Sequence, residues 1–182
     1  MLLALDVGNS HIVLGTAQGD RFSRHWRIAT DAGRTADEYG VLLDGLFRTA
    51  GIERSEISGA ALASVVPPLT ETLREAIEGY IGCRVLVVGR RHLPAVTVDV
   101  DEPDSVGVDR LINLVAARRR SEPPLIVIDF GTATTFDALR ADGAFIGGAI
   151  APGIGIAADA LIQHTALPVS YTHLTLPTIL RV

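Results

Sequence analysis

The stretch that decides the fold is Leu3-Ala4-Leu5-Asp6-Val7-Gly8-Asn9-Ser10-His11-Ile12-Val13-Leu14-Gly15. An apolar run of strand length ends at Asp6, a turn follows at residues 8–10, and a second apolar run follows the turn. Glycine permits a positive φ and asparagine tolerates left-handed geometry, so these residue types favour a tight turn. The free N–H groups of such a turn can bind phosphate oxygens, and a neighbouring carboxylate can hold a phosphate-bound metal ion.

The same order of residue types returns late in the chain, in Leu125-Ile126-Val127-Ile128-Asp129-Phe130-Gly131-Thr132-Ala133-Thr134-Thr135-Phe136-Asp137. Asp129 takes the place of Asp6, and a hydroxyl-rich turn around Thr132 leads into another strand. One such unit is weak evidence, because Asp-x-Gly is a common turn. Two copies, each placed between two strands, predict two similar half-molecules that face one nucleotide.

Composition limits the kinds of function that the chain can carry. Of its 182 residues 48% are hydrophobic, which is enough for a buried core. The net charge is −5, and the one basic cluster, Arg118–Arg120, suits the last turn of a helix, so nucleic acid is not an expected partner. The sequence contains no lysine, which excludes a Walker-type phosphate loop.

The sequence also predicts the compartment. Cys83 is the only cysteine, so we expect no disulfide framework and a reduced, cytoplasmic environment. No segment reaches transmembrane length, and the N-terminus lacks the basic region of a signal peptide. A membrane is therefore not an expected partner.

Hydrophobic periodicity and capping residues predict the remaining elements. Thr35 and Glu38 form a capping box that begins a helix, and Gly51 ends it. The predicted strands of the first half cover residues 2–5, 11–17, 21–29, 59–65 and 84–88, and a helix opens at Pro67-Pro68, giving a βββαβαβ order. The predicted elements that follow are a short strand over 95–100 within a loop, a helix from 107 to 117, strands over 125–129, 134–139 and 144–150, and a helix over 154–164.

Asp109 lies near the predicted start of the helix that follows Gly107. A carboxylate in the first turn of a helix is stabilised by the helix dipole. This structural role would by itself account for an aspartate at position 109, without a catalytic function. A catalytic base is the other interpretation, and the residues alone leave the two open.

The paired Asp-x-Gly turns resemble the phosphate-1 and phosphate-2 loops of the superfamily that contains acetate and sugar kinases, heat-shock chaperone ATPases and actin. Within it, the chain resembles the type III pantothenate kinases from Met1 to about Pro168. Three further stretches carry this resemblance: Asp104-Ser105-Val106-Gly107-Val108-Asp109-Arg110, Gly147-Gly148-Ala149-Ile150-Ala151-Pro152-Gly153 and Thr165-Ala166-Leu167-Pro168.

The resemblance implies an α/β fold of two ribonuclease-H-like, actin-like ATPase domains, the second of them incomplete. The N-terminal domain would cover residues 1–120, the start of the second domain residues 121–168, and a non-native tail residues 169–182. For the complete protein the resemblance also implies a homodimer.

The implied activity is the ATP-dependent phosphorylation of pantothenate to 4'-phosphopantothenate, the first step of coenzyme A biosynthesis. Asp109 would be the catalytic base, which decides the question that the residues left open. Gly107, Val108, Asp109 and Arg110 would form the substrate loop, with Arg110 facing the carboxylate of pantothenate.

The resemblance also implies a nucleotide site with two kinds of cation. Asp6 would bind Mg²⁺ that accompanies ATP, and Asp129 would bind a monovalent cation, potassium or ammonium. The residues implied in ATP binding are Asp6, Val7, Gly8, Asn9, Ser10, His11, Ile12, Val13 and Thr132.

Two other classes of function stay open within the same superfamily. One is a non-catalytic accessory factor for transcription, and the other is a phosphohydrolase such as a polyphosphate phosphatase. The presence of Asp6, Asp109 and Asp129 argues against lost chemistry. ATP consumption with and without pantothenate distinguishes these classes.

Residues 169–182 differ in composition from the rest, because they contain no acid, no alanine and no glycine. They resemble the conceptual translation of a sequencing adapter that reads Val-Ser-Tyr-Thr-His-Leu-Thr-Leu-Pro-Thr. The alternative is a divergent C-terminal strand, since threonine, tyrosine and valine favour strands. We expect an artefactual tail in place of the rest of the second sheet, an unpaired sheet edge and a tendency to aggregate.

Overall fold

A computed structural model describes residues 1–93 and 96–164 of the chain. These residues form a five-stranded and a three-stranded sheet with four α-helices. The stretch 165–168 and the tail predicted over 169–182 lie outside the described residues. The predicted domain boundaries therefore stay predictions.

The first sheet confirms the predicted βββαβαβ order and has the strand order β3-β2-β1-β4-β5. Its strands are β1 (Leu2–Val7), β2 (His11–Gln18), β3 (Arg21–Ala29), β4 (Gly59–Ser64) and β5 (Val85–Val87). The first three form an antiparallel meander, while β4 and β5 join β1 in parallel. The carboxyl ends of β1 and β4 therefore meet at one edge of the sheet, where open α/β sheets bind ligands.

Helices α1 (Ala36–Thr49) and α2 (Pro67–Ala76, continued by a π-helical turn over Ile77–Ile81) cover one face of this sheet. The predicted capping box is present, because the Glu38 N–H donates to Thr35 Oγ1 at 3.3 Å and the Thr35 N–H donates to the Glu38 carboxylate at 2.8 Å. The largest side chains of the core between sheet and helices are Tyr39, Phe47, Leu3, Ile12, Leu14, Leu43, Leu62, Leu69, Leu73 and Ile77.

The second half repeats the antiparallel meander and adds one helix, with the elements β6 (Leu125–Phe130), β7 (Ala133–Leu139), β8 (Phe145–Pro152) and α4 (Ile154–His164). Helix α3 (Val108–Arg118) precedes it and leads from the first half into β6. The three strands pair in the order β6-β7-β8. Helix α3 packs on this sheet through a second core of Leu111, Leu114, Leu139 and Phe145 with Val96. The helix that carries Asp109 is thus fixed against the second sheet.

The strand predicted over residues 95–100 is wrong for residues 96–100. There the chain makes one isolated bridge, between Val98 and Phe145. The Asp99 N–H donates to the Phe145 carbonyl, and the Phe145 N–H donates to the Thr97 carbonyl, both at 2.8 Å. The segment continues into a single 3-10 turn at Pro103–Ser105. The alternation of apolar and polar residues is short here, and aspartate and proline disfavour strands. The segment therefore does not form a continuous ladder of strand hydrogen bonds.

The outer face of the second sheet exposes apolar side chains. Ile126, Ile128 and Phe130 alternate along β6 and therefore point to the same side, where Phe130 is 68% exposed. Within the described part of the chain, β6 also has a partner strand on only one side. We therefore expect this apolar face and the unpaired edge beside it to favour self-association.

Replacing Ile128 by lysine is expected to reduce self-association, because a charge on this face opposes edge-to-edge pairing. The measurement is light scattering coupled to gel filtration over a range of protein concentrations. Val41→Lys is the matched control, since Val41 is a single exposed apolar residue on α1. Equal effects of the two variants would contradict the assignment of this face.

Candidate active site

The first turn, Gly8–Ser10, connects β1 to β2 and follows directly after Asp6 and Val7. It is closed by the Gly8 N–H, which donates to the His11 carbonyl at 3.0 Å. Within residues 1–93 and 96–164, no group accepts a hydrogen bond from the N–H of Asn9 or Ser10. Two exposed N–H donors beside a carboxylate make a turn that can bind anionic oxygens.

The residues of this turn and those on either side of it divide into two groups by the exposure of their side chains. The side chains of Val7 and Ile12 are fully buried in the first core, so only their backbone can face a ligand. Those of Asp6, Asn9, Ser10 and His11 are exposed.

The second turn, Gly131–Thr132, has a similar construction between β6 and β7. The Gly131 N–H donates to the Ala133 carbonyl, and the Gly153 N–H donates to the Thr132 carbonyl, both at 3.0 Å. A Cβ atom on Gly153 would lie 2.3 Å from the Gly131 carbonyl oxygen, so only glycine permits this approach. The start of α4 is therefore packed directly against the second turn.

The two turns face each other, as the sequence predicts. The hydroxyl groups of Ser10 and Thr132 are 2.7 Å apart and share a hydrogen bond. The residues are 122 positions apart in sequence, so the contact closes the cleft between the two halves.

Asp109 lies in the first turn of α3 and is partly buried. Its Oδ1 accepts a hydrogen bond from the Arg110 N–H at 2.8 Å. A Cβ atom on Gly107 would lie 2.5 Å from the same oxygen, so a larger residue would displace the carboxylate. Both a first-turn carboxylate that only stabilises the helix and a reactive carboxylate are compatible with this local geometry.

The pKa of Asp6 depends on its burial and on the charges of the other two predicted carboxylates. Burial, followed by the negative charges of Asp109 and Asp129, raises the pKa of Asp6 above its usual value. The Asp6 side chain is exposed to solvent, yet protein atoms displace part of its hydration. Mutual repulsion of this kind is relieved by a bound cation.

Asn113 belongs to this site and was not predicted. Its Nδ2 donates a hydrogen bond to Asp129 Oδ2 at 3.0 Å. It follows Asp109 by one helical turn, so both side chains lie on the same face of α3. That spacing is the signal in the sequence that could have identified it.

Arg110 makes an ion pair that was also not predicted. Its Nε donates to Asp137 Oδ1 at 2.8 Å, its Nη2 donates to the same oxygen, and its guanidinium lies 5.4 Å from the centre of the Phe145 ring. The Asp137 side chain is 1% exposed and that of Arg110 17%. The guanidinium predicted to face a substrate carboxylate is therefore held by a carboxylate of β7.

Two cavities border the three carboxylates. One of about 540 Å³ lies between the first sheet and α3, and its polar lining comes from Asp6, His25, Asp109 and Asn113. A second of about 440 Å³ lies between β6 and α3 and includes Asp129 and Asn113. A cleft of this size is sufficient for a small-molecule ligand.

The described residues contain no group of three or more histidine, cysteine, aspartate or glutamate side chains that could hold a metal ion by themselves. A magnesium ion that enters with phosphate needs only one or two protein carboxylates, because phosphate oxygens and water complete its coordination. Asp6 beside the first turn fits that requirement. No helix in the described ranges is long and apolar enough to cross a membrane.

The two sheets and the facing turns define an α/β protein with the ribonuclease-H-like architecture of actin-like ATPases. A family model for type III pantothenate kinase matches residues 2–177, and the chain belongs to this family. The match passes Pro168, where we expected the resemblance to end, and the extent of the non-native tail stays a prediction.

Curated relatives agree with this family. The chain is 48% identical to the type III pantothenate kinase of Geobacter sulfurreducens and 49% identical to that of Moorella thermoacetica, each over 166 residues. These alignments cover 91% of this chain and 65% of each relative. The chain thus spans less than two thirds of the length of the relatives it matches.

Solved structures share the fold at low sequence identity. A Campylobacter jejuni protein assigned to the Baf family of transcriptional activators has a TM-score of 0.53 and 17% identity, over 99% of this chain and 68% of that protein. A Ppx/GppA phosphatase of Aquifex aeolicus has a TM-score of 0.51 and 15% identity, over 89% of this chain and 55% of that protein. At this identity the likeness is one of fold alone.

Proposed function

We propose that this protein transfers a phosphoryl group from ATP to pantothenate and forms 4'-phosphopantothenate, the first step of coenzyme A biosynthesis. The observation that carries the proposal is that Asp6 and Asp109 line the same cavity, at a place where the two turns meet through the hydroxyls of Ser10 and Thr132. Membership of the type III pantothenate kinase family supports the choice of acceptor.

The first turn would hold the phosphates of ATP. Its Asn9 and Ser10 N–H groups are available, and the hydroxyl of Thr132 stands 2.7 Å from that of Ser10. A phosphate placed between the turns would replace the contact between the two hydroxyls with hydrogen bonds from each. Donors fixed in place before the reaction stabilise the charge that phosphoryl transfer spreads over the equatorial oxygens.

Asp109 would accept the proton of the primary hydroxyl of pantothenate as that oxygen attacks. The dipole of α3 favours the ionised carboxylate, because Asp109 lies in the first helical turn. Gly107 keeps the space beside it open. The carboxylate is thereby left accessible on the side of residue 107.

Two cations complete the proposal. Asp6 would hold Mg²⁺ together with the ATP phosphates, and Asp129, oriented by Asn113, would hold potassium or ammonium. When bound, these ions would neutralise charge on the phosphates and on the carboxylates themselves. Burial and then the negative charges of Asp109 and Asp129 raise the pKa of Asp6, and a cation would offset the repulsive part.

Gly107 to Arg110 would line the pantothenate site. Arg110 is paired with Asp137, so contact with the carboxylate of pantothenate would require the guanidinium to serve both anions. Its planar group carries five donors, which makes such sharing chemically reasonable. A cytoplasmic homodimer belongs to the same proposal.

The test is ATP consumption with and without pantothenate. ADP formation that depends on pantothenate would support the kinase. Phosphate release without pantothenate would favour a phosphohydrolase, and ATP binding without any turnover would favour an accessory factor. A matched control is the Geobacter sulfurreducens enzyme, assayed both complete and shortened to the part aligned with this chain. If the shortened relative retains activity and this chain has none, the proposal is wrong.

Replacing Asp129 by alanine is expected to abolish the effect of potassium on ATP affinity, because the proposed cation loses its carboxylate ligand. ATP is titrated at equal ionic strength in potassium chloride and in choline chloride. Asp159→Ala, which removes an exposed carboxylate of α4, should leave the potassium effect unchanged. A full potassium response in Asp129→Ala would exclude this role.

A further inference from the structure

Thr30 makes two hydrogen bonds to the first turn. It directly follows β3, whose last residue, Ala29, pairs with His11 at the start of β2. The Thr30 N–H donates to the Ser10 carbonyl at 3.0 Å, and its Oγ1 donates to the Gly8 carbonyl at 2.6 Å. One residue therefore binds the carbonyls at both ends of the turn.

These contacts decide which backbone groups of the turn face outward. The carbonyl groups of Gly8, Ser10 and His11 all accept hydrogen bonds from the protein, the last from the Gly8 N–H. The Asn9 and Ser10 N–H groups have no acceptor within the described part of the chain. With the Gly8 and Ser10 carbonyls bound by Thr30, the turn is left with two unpaired N–H donors, of Asn9 and Ser10, and one unpaired carbonyl, of Asn9, within the described part of the chain. The two donors give the turn the polarity that an anion requires.

Thr30 is in turn anchored through its neighbour. The Tyr39 hydroxyl donates to the Asp31 carbonyl at 2.9 Å and accepts a hydrogen bond from the Asp31 N–H at 3.1 Å. Tyr39 is fully buried between α1 and the first sheet. The position of Thr30 is therefore set by the core rather than by the surface loop around it.

We propose that Thr30 is a positioning residue that fixes the first turn for the phosphates of the nucleotide. The proposal rests on the function proposed above as far as the identity of the ligand is concerned. The role of Thr30 concerns the affinity for ATP and not the phosphoryl acceptor, so it can be tested separately from the proposed function.

The experiment compares Thr30→Val with Thr30→Ser. Valine keeps the shape and removes the hydroxyl, whereas serine keeps the hydroxyl and removes the methyl group. We expect Thr30→Val to weaken MgATP binding, measured by calorimetry, by about tenfold, which corresponds to the loss of one hydrogen bond. Thr30→Ser should bind MgATP within about twofold of the unchanged protein, and KM for pantothenate should move far less than KM for ATP in both variants.

A second readout does not depend on the nucleotide. Hydrogen exchange at the Gly8 amide should accelerate in Thr30→Val and not in Thr30→Ser, because the turn loses its support. Faster exchange with unchanged MgATP affinity would overturn the positioning role, and so would equal losses of affinity in both variants. MgATP binding without phosphorylation of pantothenate would refute the proposed function, while the comparison of the two variants would still decide the role of Thr30. A protein that binds no MgATP at all would overturn both.

Discussion

Asp109→Asn is expected to lower turnover by about 10²–10⁴-fold, the usual loss when a general base is removed. Asparagine has the size of aspartate but cannot take the proton of the attacking hydroxyl. Its side-chain oxygen can still accept the hydrogen bond that the Arg110 N–H gives to Asp109 Oδ1, so the start of α3 should be preserved. MgATP affinity should therefore change little, and the loss should fall on kcat.

The measurement is steady-state kinetics with pantothenate, together with calorimetric MgATP binding on the same preparations. Asp104→Asn is the matched control, because this carboxylate lies in the same segment, is almost fully exposed and pairs with Arg90. The control should retain normal kinetics. Normal turnover in Asp109→Asn would leave Asp109 as a first-turn carboxylate that only stabilises the helix.

Asp137→Asn is expected to lower the free energy of unfolding by about 3 kcal/mol, since breaking a buried ion pair leaves one charge without compensation. Asp137 accepts from both Nε and Nη2 of Arg110 inside the second core, where the guanidinium also lies over Phe145. A Cβ atom on Gly148 would lie 2.0 Å from the Phe136 carbonyl oxygen and 2.9 Å from both partners of the pair, so only glycine leaves room beside it. A neutral side chain of the same size cannot restore the lost interaction.

Urea unfolding followed by circular dichroism measures this effect. Asp99→Asn is the control, since Asp99 pairs with Arg140 at the surface, where screening by water makes ion pairs weak. The double variant Arg110→Met with Asp137→Leu removes both charges and should recover much of the loss. If Asp137→Asn and Asp99→Asn are equally stable, the pair does not hold α3 on the second sheet.

Local signals in the sequence were sufficient for the elements and for the facing turns. The capping box at Thr35, the proline pair at residues 67–68 and the bounds of α4 follow from residue types within a few positions of each other. The facing turns follow because the same strand–turn–strand unit occurs twice, and Ser10 indeed meets Thr132. Periodicity failed at residues 96–100, where one bridge replaced a strand.

The supporting residues of the site could not be predicted in the same way. Thr30 acts on a turn 22 residues earlier, Asn113 on a carboxylate 16 residues later, and Arg110 on one 27 residues later. None of these pairings produces a periodic or local pattern in the sequence, because each depends on which strand ends the fold brings together. The family resemblance points to the residues that would touch a ligand, whereas the structure identifies those that hold them in place.

The hydrogen bond between Ser10 and Thr132 has a consequence for folding. It joins groups 122 residues apart, so the cleft forms only after both sheets are built and docked. A ligand held by both turns would bind the folded chain alone and would shift the folding equilibrium by mass action. At roughly 100 times its Kd, such a ligand adds about 2.7 kcal/mol to the free energy of unfolding. The melting temperature measured against nucleotide concentration would thus report on the docking of the two halves, even in a variant that has no catalytic turnover.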